Sequence, residues 1–410
     1  MSIPAIDGER LWSTLMEMAH FGATPMGGVC RLALTDEDKA ARDLFSRWCA
    51  KAGCGVVVDK MGNVFARRSG RDNDLPPIII GSHLDSQPTG GKFDGAYGVL
   101  AGLEVIRTLN DHTIETEAPI EVVSWTNEEG ARFQPPMVGS GVFAGAFDLE
   151  ESLAAKDLEG NSLGGELARI GYAGSAEVGG RPVTAYFEPH IEQGPILEAE
   201  DMVIGVVTGA QGQRWFEATV TGQEAHAGPP PMDVRRDALV GAARMIGEVR
   251  RIGVDHAPNG RSTVGFVTVH PNSRNVIPGS VFFSVDLRHP DDGALAAMGE
   301  ALREACSAVA HNEGLKVKLD EILYFPAHPF DADCVRAVRE GAEVLGHSHR
   351  DIISGAGHDA VYLSRVAPTG MIFVPCKDGI SHAEIEYAKL EDLTAGCNVL
   401  LRAVLERAGS

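Results

Sequence analysis

The sequence predicts an α/β fold with a second, α+β domain inserted into it. Strand and helix patterns alternate in the first half of the chain, change to the order β-α-β-β-α-β in the middle, and alternate again near the end. The length of 410 residues is sufficient for two or three domains. We therefore expect segments 1–211, 212–327 and 328–410, with the first and last segments forming one domain.

Apolar periodicity places the elements of the outer domain. It predicts helices and strands in alternation, as is typical of helices packed on both faces of a sheet. The predicted helices are 9–20, 37–53, 95–110, 331–345 and 389–408, and the predicted strands are 77–81, 120–126 and 370–375.

The middle segment has a different pattern. Strands are predicted over 214–221, 262–270, 280–288 and 315–324, and helices over 234–252 and 292–313. We expect strands 262–270 and 280–288 to pair in the manner of a hairpin. This order of elements is that of the ferredoxin-like arrangement.

Charge and composition exclude several classes of partner. A net charge of −21 argues against nucleic acid and against anionic membrane surfaces, because both bind basic patches. No apolar stretch approaches 18 residues, and the N-terminus has no apolar signal core, so we expect no membrane span and no secretion signal. Seven cysteines without a CxxC spacing favour a reduced, cytoplasmic compartment. An anionic substrate would need a local basic group to hold it.

The segment GSHLDSQPTGGKFDG, residues 81–95, carries the first candidate residues. His83 and Asp85 follow a predicted strand, and ligands bind beyond the carboxyl ends of strands in open α/β sheets. We expect Asp85 to orient the ring of His83 rather than to share a metal with it. Asp94 follows a glycine-rich turn at the start of a helix, where its alternative role is that of a helix cap.

Three further segments supply acids and histidines. Glu128 and Glu129 follow a strand, and one of them can bind a metal while the other takes a proton from water. His190 lies in the apolar segment FEPHIEQGP, and His382 lies in a loop after strand 370–375. The alternatives are a solvated acidic loop for the glutamates and a structural role for either histidine.

Together these residues form a ligand set for two divalent ions. Three histidines with two or three carboxylates suit zinc first, with manganese, cobalt or nickel as substitutes. Asp94 is the natural bridge between two ions, because its glycine-rich approach allows it to enter deeply. Such sites polarise a carbonyl and supply hydroxide near neutral pH.

The same motifs resemble a known family. The chain is similar to the zinc-dependent hydantoinase/carbamoylase amidases, a branch of the M20 metallopeptidases, from GSHLDSQPTGGKFDG through NEEGARF, HIEQGP, AHAGPPPMDVRRDAL and NVIPGSVFFSVDLRHP to CKDGISH. That resemblance implies a di-metal exopeptidase-like catalytic domain with a mixed sheet. It also implies that the ferredoxin-like domain over 212–327 is a lid and the dimerisation surface of a homodimer.

The resemblance also implies roles for individual residues. One metal would be bound by His83, Asp94 and His190, and the other by Asp94, Glu129 and His382. Glu128 would be the general base, and His226 would reach the partner subunit's active site and steady the oxyanion. Gln193, Asn275 and Arg288 would bind the ureido group and the carboxylate of the substrate. His358, in SGAGHDA, matches a family motif to which we assign no role.

The implied reaction is hydrolysis of an N-carbamoyl amino acid. The substrate is an N-carbamoyl-L-amino acid or N-carbamoyl-β-alanine, and the products are the amino acid, CO2 and ammonia. Alternatives are an allantoate amidohydrolase and an M20-type dipeptidase or aminoacylase. A non-catalytic protein that kept the fold is disfavoured because all five metal ligands and Glu128 are present.

Overall fold

The computed structural model describes residues 4–409. Helices and strands are interspersed up to residue 210, in part as runs of two or three elements of one kind rather than in the strict alternation that the sequence predicts. The helices are α1 (Gly8–Met18), α2 (Asp36–Lys51), α3 (Ala96–Asp111), α4 (Val138–Phe143), α5 (Leu149–Ala154), α6 (Leu163–Ile170) and α7 (Ile196–Ala199). The strands are β1 (Gly55–Val58), β2 (Val64–Arg68), β3 (Ile78–His83), β4 (Ile120–Trp125), β5 (Ala185–Ile191) and β6 (Ile204–Ala210).

The elements after residue 210 fall into two sets, one in the middle of the chain and one in its last part. The middle of the chain forms β7 (Gly212–Thr221), β8 (Ala225–His226), α8 (Ala238–Asp255), β9 (Arg261–Thr263), β10 (Val267–His270), β11 (Val276–Ile277), β12 (Ser280–His289), α9 (Asp292–Asn312), β13 (Lys316–Phe325) and β14 (His328–Pro329). The last part forms α10 (Ala332–Leu345), β15 (His349–Ser354), α11 (Asp359–Leu363), β16 (Thr369–Val374) and α12 (Leu390–Ala408).

The chain divides into two compact units. One is Gly209–Pro329, and the other consists of the segments before and after it. The predicted α/β class with an inserted ferredoxin-like domain is confirmed. The assignment of catalytic, lid and dimerisation roles to segments 1–211, 212–327 and 328–410 stays a prediction.

The larger sheet has four parallel strands at its centre. Its strand order is β1-β2-β4-β3-β5-β16-β6, with β15 beside β6, and β4, β3, β5 and β16 run parallel to their neighbours in this central block. Every residue of these four strands is buried, as in a sheet covered on both faces. Because they are parallel, their carboxyl ends meet at one edge of the sheet, where ligands bind in such folds.

The inserted unit has its own sheet and its own core. The strand order is β10-β12-β7-β13, all antiparallel, with β9 also paired to β12. Phe216, Phe283 and Leu302 belong to a buried apolar cluster that joins the sheet to α8 and α9. A core of this kind is what a domain of this size needs in order to be compact.

Two predicted elements of the inserted unit are corrected. The strand predicted over 262–270 is split into β9 and β10, because Gly265 lies in the break and glycine weakens a strand. The helix predicted from residue 234 begins at Ala238, because the Asp237 carboxylate accepts the backbone N–H groups of Leu239 and Val240 and caps the helix there.

Strand β5 was not predicted from the sequence, although it lies at the centre of the sheet. Its sequence AYFEPHI is buried throughout, but it contains Glu188 and His190 and a proline. Polar residues inside a buried strand remove the apolar run by which such a strand is recognised.

The seven cysteines are all free thiols in the structure. Over residues 4–409, none of the helices is both long enough and apolar enough to cross a bilayer. The cytoplasmic location stays a prediction.

Candidate metal centre

The parallel strands deliver most of the candidate ligands to one edge of the sheet. His83 is the last residue of β3, and His190 lies near the end of the neighbouring strand β5. Glu128 and Glu129 follow β4, and His382 lies in the loop after β16. Residues more than 290 positions apart in the sequence therefore meet because their strands are parallel neighbours.

The first group consists of His83, Asp94 and His190, all buried. The Oδ1 atom of Asp94 lies 3.4 Å from Nε2 of His83 and 3.1 Å from Nε2 of His190. One carboxylate oxygen therefore faces two imidazole nitrogens.

The second group uses the other oxygen of the same carboxylate. The Oδ2 atom of Asp94 lies 3.4 Å from Nε2 of His382, and Nε2 of His382 lies 3.3 Å from Oε2 of Glu129. Asp94 thus belongs to both groups and directs one oxygen into each. That is the geometry of a carboxylate that bridges two cations.

Asp94 does not act as a helix cap. The N-cap residue of α3 is Gly95, and Asp94 precedes it. Gly95 has a φ of 63°, and a β-carbon on it would lie 2.4 Å from the ring of His83. Glycine is therefore required here both by the left-handed backbone and by the close approach of the imidazole.

The two buried histidines direct their Nε2 atoms towards Asp94. Nδ1 of His83 lies 2.9 Å from the carbonyl oxygen of Asp85, and Nδ1 of His190 lies 2.9 Å from that of Ile191. Because a carbonyl oxygen can only accept, each Nδ1 carries the hydrogen of the neutral ring. In the neutral form each Nε2 directs a lone pair towards Asp94, and in His190 it accepts the N–H of Gly95.

This arrangement requires positive charge between the groups. Imidazole lone pairs that face carboxylate oxygens at 3.1–3.4 Å repel them unless a cation or a proton lies between. Two donors that are each about 2.0–2.1 Å from one tetrahedral zinc ion lie about 3.3–3.4 Å apart. The nitrogen and oxygen donors of both groups therefore fit divalent ions that accept imidazole and carboxylate.

The acids beside the groups have raised pKa values. Burial raises the pKa of Glu128 well above its usual value, and the carboxylates of Asp359 and Glu129 add to this, while His83 opposes it. Burial and the charge of Asp94 raise the pKa of Glu129 to about 7. Glu128 Oε2 lies 3.4 Å from Nε2 of His83, so a buried acid stands directly beside the first group.

Asp85 does not orient His83 through its carboxylate, which corrects our expectation. Its backbone carbonyl already accepts from the ring of His83. Its carboxylate turns away and accepts the backbone N–H groups of Glu128, at 3.3 Å, and Glu129, at 3.2 Å. Asp85 therefore holds the loop that carries the two glutamates.

Several loop residues of this edge have a left-handed backbone. Asn127, Gln193 and His382 have φ values of 54°, 57° and 56°. Non-glycine residues adopt this conformation at a cost, and they concentrate where a site fixes the backbone. Each of the three lies beside or within the ligand groups.

Gln193 contacts a metal-ligand candidate in this structure. Its Nε2 donates to Oδ2 of Asp94 at 2.8 Å, and its Oε1 is buried without a hydrogen-bond partner among the residues from 4 to 409. Its binding of substrate stays a prediction.

Sequence reasoning missed two other polar contacts at this edge. The Ser381 hydroxyl donates to Oδ2 of Asp94 at 2.7 Å, and Nε2 of Gln87 donates to Oε2 of Glu129 at 2.8 Å. Both residues lie inside motifs that were already recognised, next to or near a ligand candidate. Their position in those motifs was the signal that could have identified them.

His358 packs directly on the first group. Its ring centroid lies 4.6 Å from that of His190 and 5.6 Å from that of Phe373, nearly edge to face with both. Burial lowers the pKa of His358 well below its usual value, so the ring is neutral. Its buried Nε2 atom is unpaired within the described part of the chain.

The remaining candidates belong to the Gly209–Pro329 unit. His226 and Asn275 lie on or beside the short ribbon of β8 and β11, where the Asn275 carbonyl accepts the N–H of Ala227. Nδ1 of His226 accepts the N–H of Gly228 at 3.0 Å. Arg288, near the end of β12, pairs with Asp286 at 2.8 Å.

Comparison with known proteins identifies the family. A model of peptidase family M20/M25/M40 matches residues 79–406. The chain belongs to this family. The matched region contains every metal-ligand candidate of both groups.

Several named proteins resemble the chain over nearly its full length. An N-carbamoyl-L-amino-acid amidohydrolase of Rhizobium meliloti is 50% identical over 98% of this chain and 97% of its own. An amidase of the hydantoinase/carbamoylase family from Burkholderia multivorans is 65% identical, with a TM-score of 0.95 over 99% of each chain. An allantoate amidohydrolase of Bacillus subtilis is 35% identical over 93% of each chain. The predicted resemblance is confirmed, and M20 membership with the His/Asp cluster supports divalent-metal binding.

Metal uptake is expected to release protons near neutral pH. The hydrogen bond with Asp94 raises the pKa of His382 to about 9 against the opposing effect of burial, so the metal-free ring is protonated at pH 7. A metal ion needs the bare nitrogen, and its affinity should therefore rise with pH up to about 9. Titration of the metal-free protein with Zn²⁺ in buffers of different ionisation enthalpy measures the protons released.

The control for this experiment is His382→Ala. It should release fewer protons than the unaltered chain, because one protonated ligand is gone. Equal heats in all buffers would contradict the expectation.

Proposed function

We propose that this chain hydrolyses the ureido C–N bond of N-carbamoyl-L-amino acids, with N-carbamoyl-β-alanine as a further substrate of the same class. Water adds to the carbamoyl carbonyl, the bond to the substituted nitrogen breaks, and the released carbamate gives CO2 and ammonia. The observation that carries the proposal is the full-length similarity to the amidohydrolase of Rhizobium meliloti.

Two divalent cations, with zinc as the first choice and manganese, cobalt or nickel as substitutes, would be held by the two groups that share Asp94. When bound, such ions polarise a carbonyl and lower the pKa of water. His83 and His190 would complete one group, and Glu129 and His382 the other.

Glu128 is the general base of the proposed reaction. Its carboxylate takes a proton from the attacking water and passes it to the leaving nitrogen. The raised pKa of Glu128 supports this role, because a carboxylate with a raised pKa binds a proton more strongly and can carry it from the water to the leaving nitrogen. The Asp85 carboxylate accepts the backbone N–H groups of Glu128 and Glu129 and so holds the loop that carries both glutamates.

Gln193 favours a carbamoyl group over an acyl group. Its unpaired, buried Oε1 is an acceptor that lacks a donor among the described residues. The terminal NH2 of a ureido group supplies such a donor, whereas the methyl of an N-acetyl group does not. An acceptor left unpaired in a buried site costs about 1–3 kcal/mol, so the carbamoyl substrate is favoured by this contact.

The inserted unit supplies the contacts to the rest of the substrate in this proposal. Because Nδ1 of His226 accepts from Gly228, the neutral ring carries its hydrogen on Nε2, where it can donate to the developing oxyanion. The planar fork of Arg288 suits the substrate carboxylate, with Asn275 beside it.

We propose further that His226 acts in the active site of a second copy in a homodimer. Strand β10 is an edge strand whose first residue, Val267, is exposed together with Phe266 just before it. An exposed apolar edge of this kind is suited to pairing with another chain.

A substrate panel tests the reaction class. The panel consists of an N-carbamoyl-L-α-amino acid, N-carbamoyl-β-alanine, allantoate and an N-acetyl amino acid, each with Zn, Mn, Co or Ni added. Release of ammonia and of free amino acid is measured for each substrate. Products should appear fastest from the N-carbamoyl-L-α-amino acid. Fastest turnover of allantoate, or of the N-acetyl compound, would replace the proposal by the corresponding alternative.

Glu128→Gln tests the base. Turnover should fall about 10²–10⁴-fold, because the amide cannot accept the proton. Zn²⁺ stoichiometry should stay that of the unaltered chain, and Glu150→Gln, at an exposed position of α5, is the matched control. Near-normal turnover of Glu128→Gln would show that another group is the base.

Mixed dimers test the action of His226 across subunits. Glu128→Gln and His226→Ala chains should each be nearly inactive alone. After co-expression, half of the randomly assorted dimers carry one intact site, so about one quarter of the normal activity should return. A mixture that stays inactive would place His226 in the site of its own chain, and normal activity of His226→Ala alone would place it outside any site.

A further inference from the structure

Glu386 is a buried carboxylate that joins two loops of the metal centre. It lies four residues after His382 and is only 5% exposed. Its Oε1 atom accepts the backbone N–H of Phe93 at 2.9 Å and that of Asp94 at 3.1 Å. A residue from the His382 loop therefore holds the backbone of the residue that both ligand groups share.

The approach of this carboxylate depends on Gly91. A β-carbon at Gly91 would lie 2.0 Å from the carboxyl carbon and from Oε1 of Glu386. The backbone of Gly91 is not left-handed, so space rather than conformation requires the glycine. The glycine-rich turn before Asp94 thus admits Glu386 as well as placing Asp94.

The loop that carries Glu386 is itself fixed. Its ends are joined where the N–H of Lys377 donates to the carbonyl of Tyr387 at 2.8 Å. The backbone of Glu384 packs so closely on Gly28 that a β-carbon there would lie 2.6 Å from it. Glu386 is therefore presented from a rigid base and can act as an anchor.

We propose that Glu386 is a positioning residue for the metal centre: by accepting both backbone N–H groups, it fixes Asp94 so that each carboxylate oxygen faces one ligand group. The inference rests on the two-metal site of the proposed function. Without this anchor, the backbone at Asp94 can rotate, and both groups lose their common ligand. Groups that orient a metal ligand contribute about 10–100-fold to metal affinity.

Metal binding by four variants tests this role. Glu386→Ala removes the acceptor, and Gly91→Ala leaves the acid but places a methyl group where its carboxylate lies. Each should weaken the binding of both Zn²⁺ ions about 10–100-fold in competition with a chelating dye. Glu386→Gln keeps an acceptor oxygen and should restore most of the affinity. Glu384→Ala removes an acid from the same loop and should change nothing.

The visible spectrum of the Co²⁺-loaded protein adds a reading of ligand geometry. Its bands should shift in Glu386→Ala and Gly91→Ala and stay unchanged in Glu384→Ala. Thermal unfolding with excess chelator checks the fold of each variant, and Gly91→Ala supplies the test if Glu386→Ala does not fold.

The possible failures are distinguishable. Normal Zn²⁺ affinity and an unaltered Co²⁺ spectrum in Glu386→Ala or Gly91→Ala overturn the positioning role alone. A Zn²⁺ affinity of Glu386→Gln as low as that of Glu386→Ala also overturns the positioning role, because the glutamine still offers an acceptor oxygen to the two backbone N–H groups. If the unaltered chain binds no pair of divalent ions, the two-metal function fails, and this inference fails with it.

Discussion

The carboxylate of Asp94 is the contact on which the geometry of the centre depends. One oxygen faces His83 and His190, and the other faces His382. The parallel strands, the glycine before α3 and the loop after β16 all bring a group to this carboxylate. Displacing Asp94 would therefore disturb both ligand groups at once, whereas moving any one histidine disturbs only one.

The centre also concentrates negative charge away from water. Asp85, Glu128 and Glu188 are buried near the ligands, and Asp359, whose pKa is raised well above its usual value by burial and by Glu188, lies among them. Burying carboxylates costs free energy unless they are hydrogen-bonded or paired with cations. Glu188 accepts from Ser82, Tyr186 and the backbone of Ala360, which satisfies much of its demand.

Such a site is more favourable with metal ions than without them. Divalent cations between the imidazole and carboxylate groups replace repulsion by attraction, and they do so in a medium of low dielectric constant, where charge interactions are strong. The fold therefore keeps its ligands in place through backbone contacts. Two backbone carbonyls, those of Asp85 and Ile191, orient the imidazole rings. The Asp85 carboxylate holds the backbone of Glu128 and Glu129, and none of these contacts requires a bound ion.

The sequence by itself determined the fold class and pointed to histidines and acids in loops after strands, because strand and helix periods and post-strand motifs are local properties of the chain. The set of five ligands, with Glu129 rather than Glu128 among them, came from the family resemblance. It could not find β5, whose strand pattern is interrupted by Glu188 and His190. It also assigned the contact with the ring of His83 to the carboxylate of Asp85, whereas the backbone carbonyl of Asp85 makes that contact.

The tertiary structure shows how the two groups that the family resemblance implies are brought together. The division of Asp94 between two groups follows from the order β4-β3-β5-β16, which joins strands distant in the sequence. The contact of Glu386 with the Asp94 backbone spans 292 residues. No periodicity or spacing within a motif encodes such a contact, because it depends on which loops meet at the edge of the folded sheet.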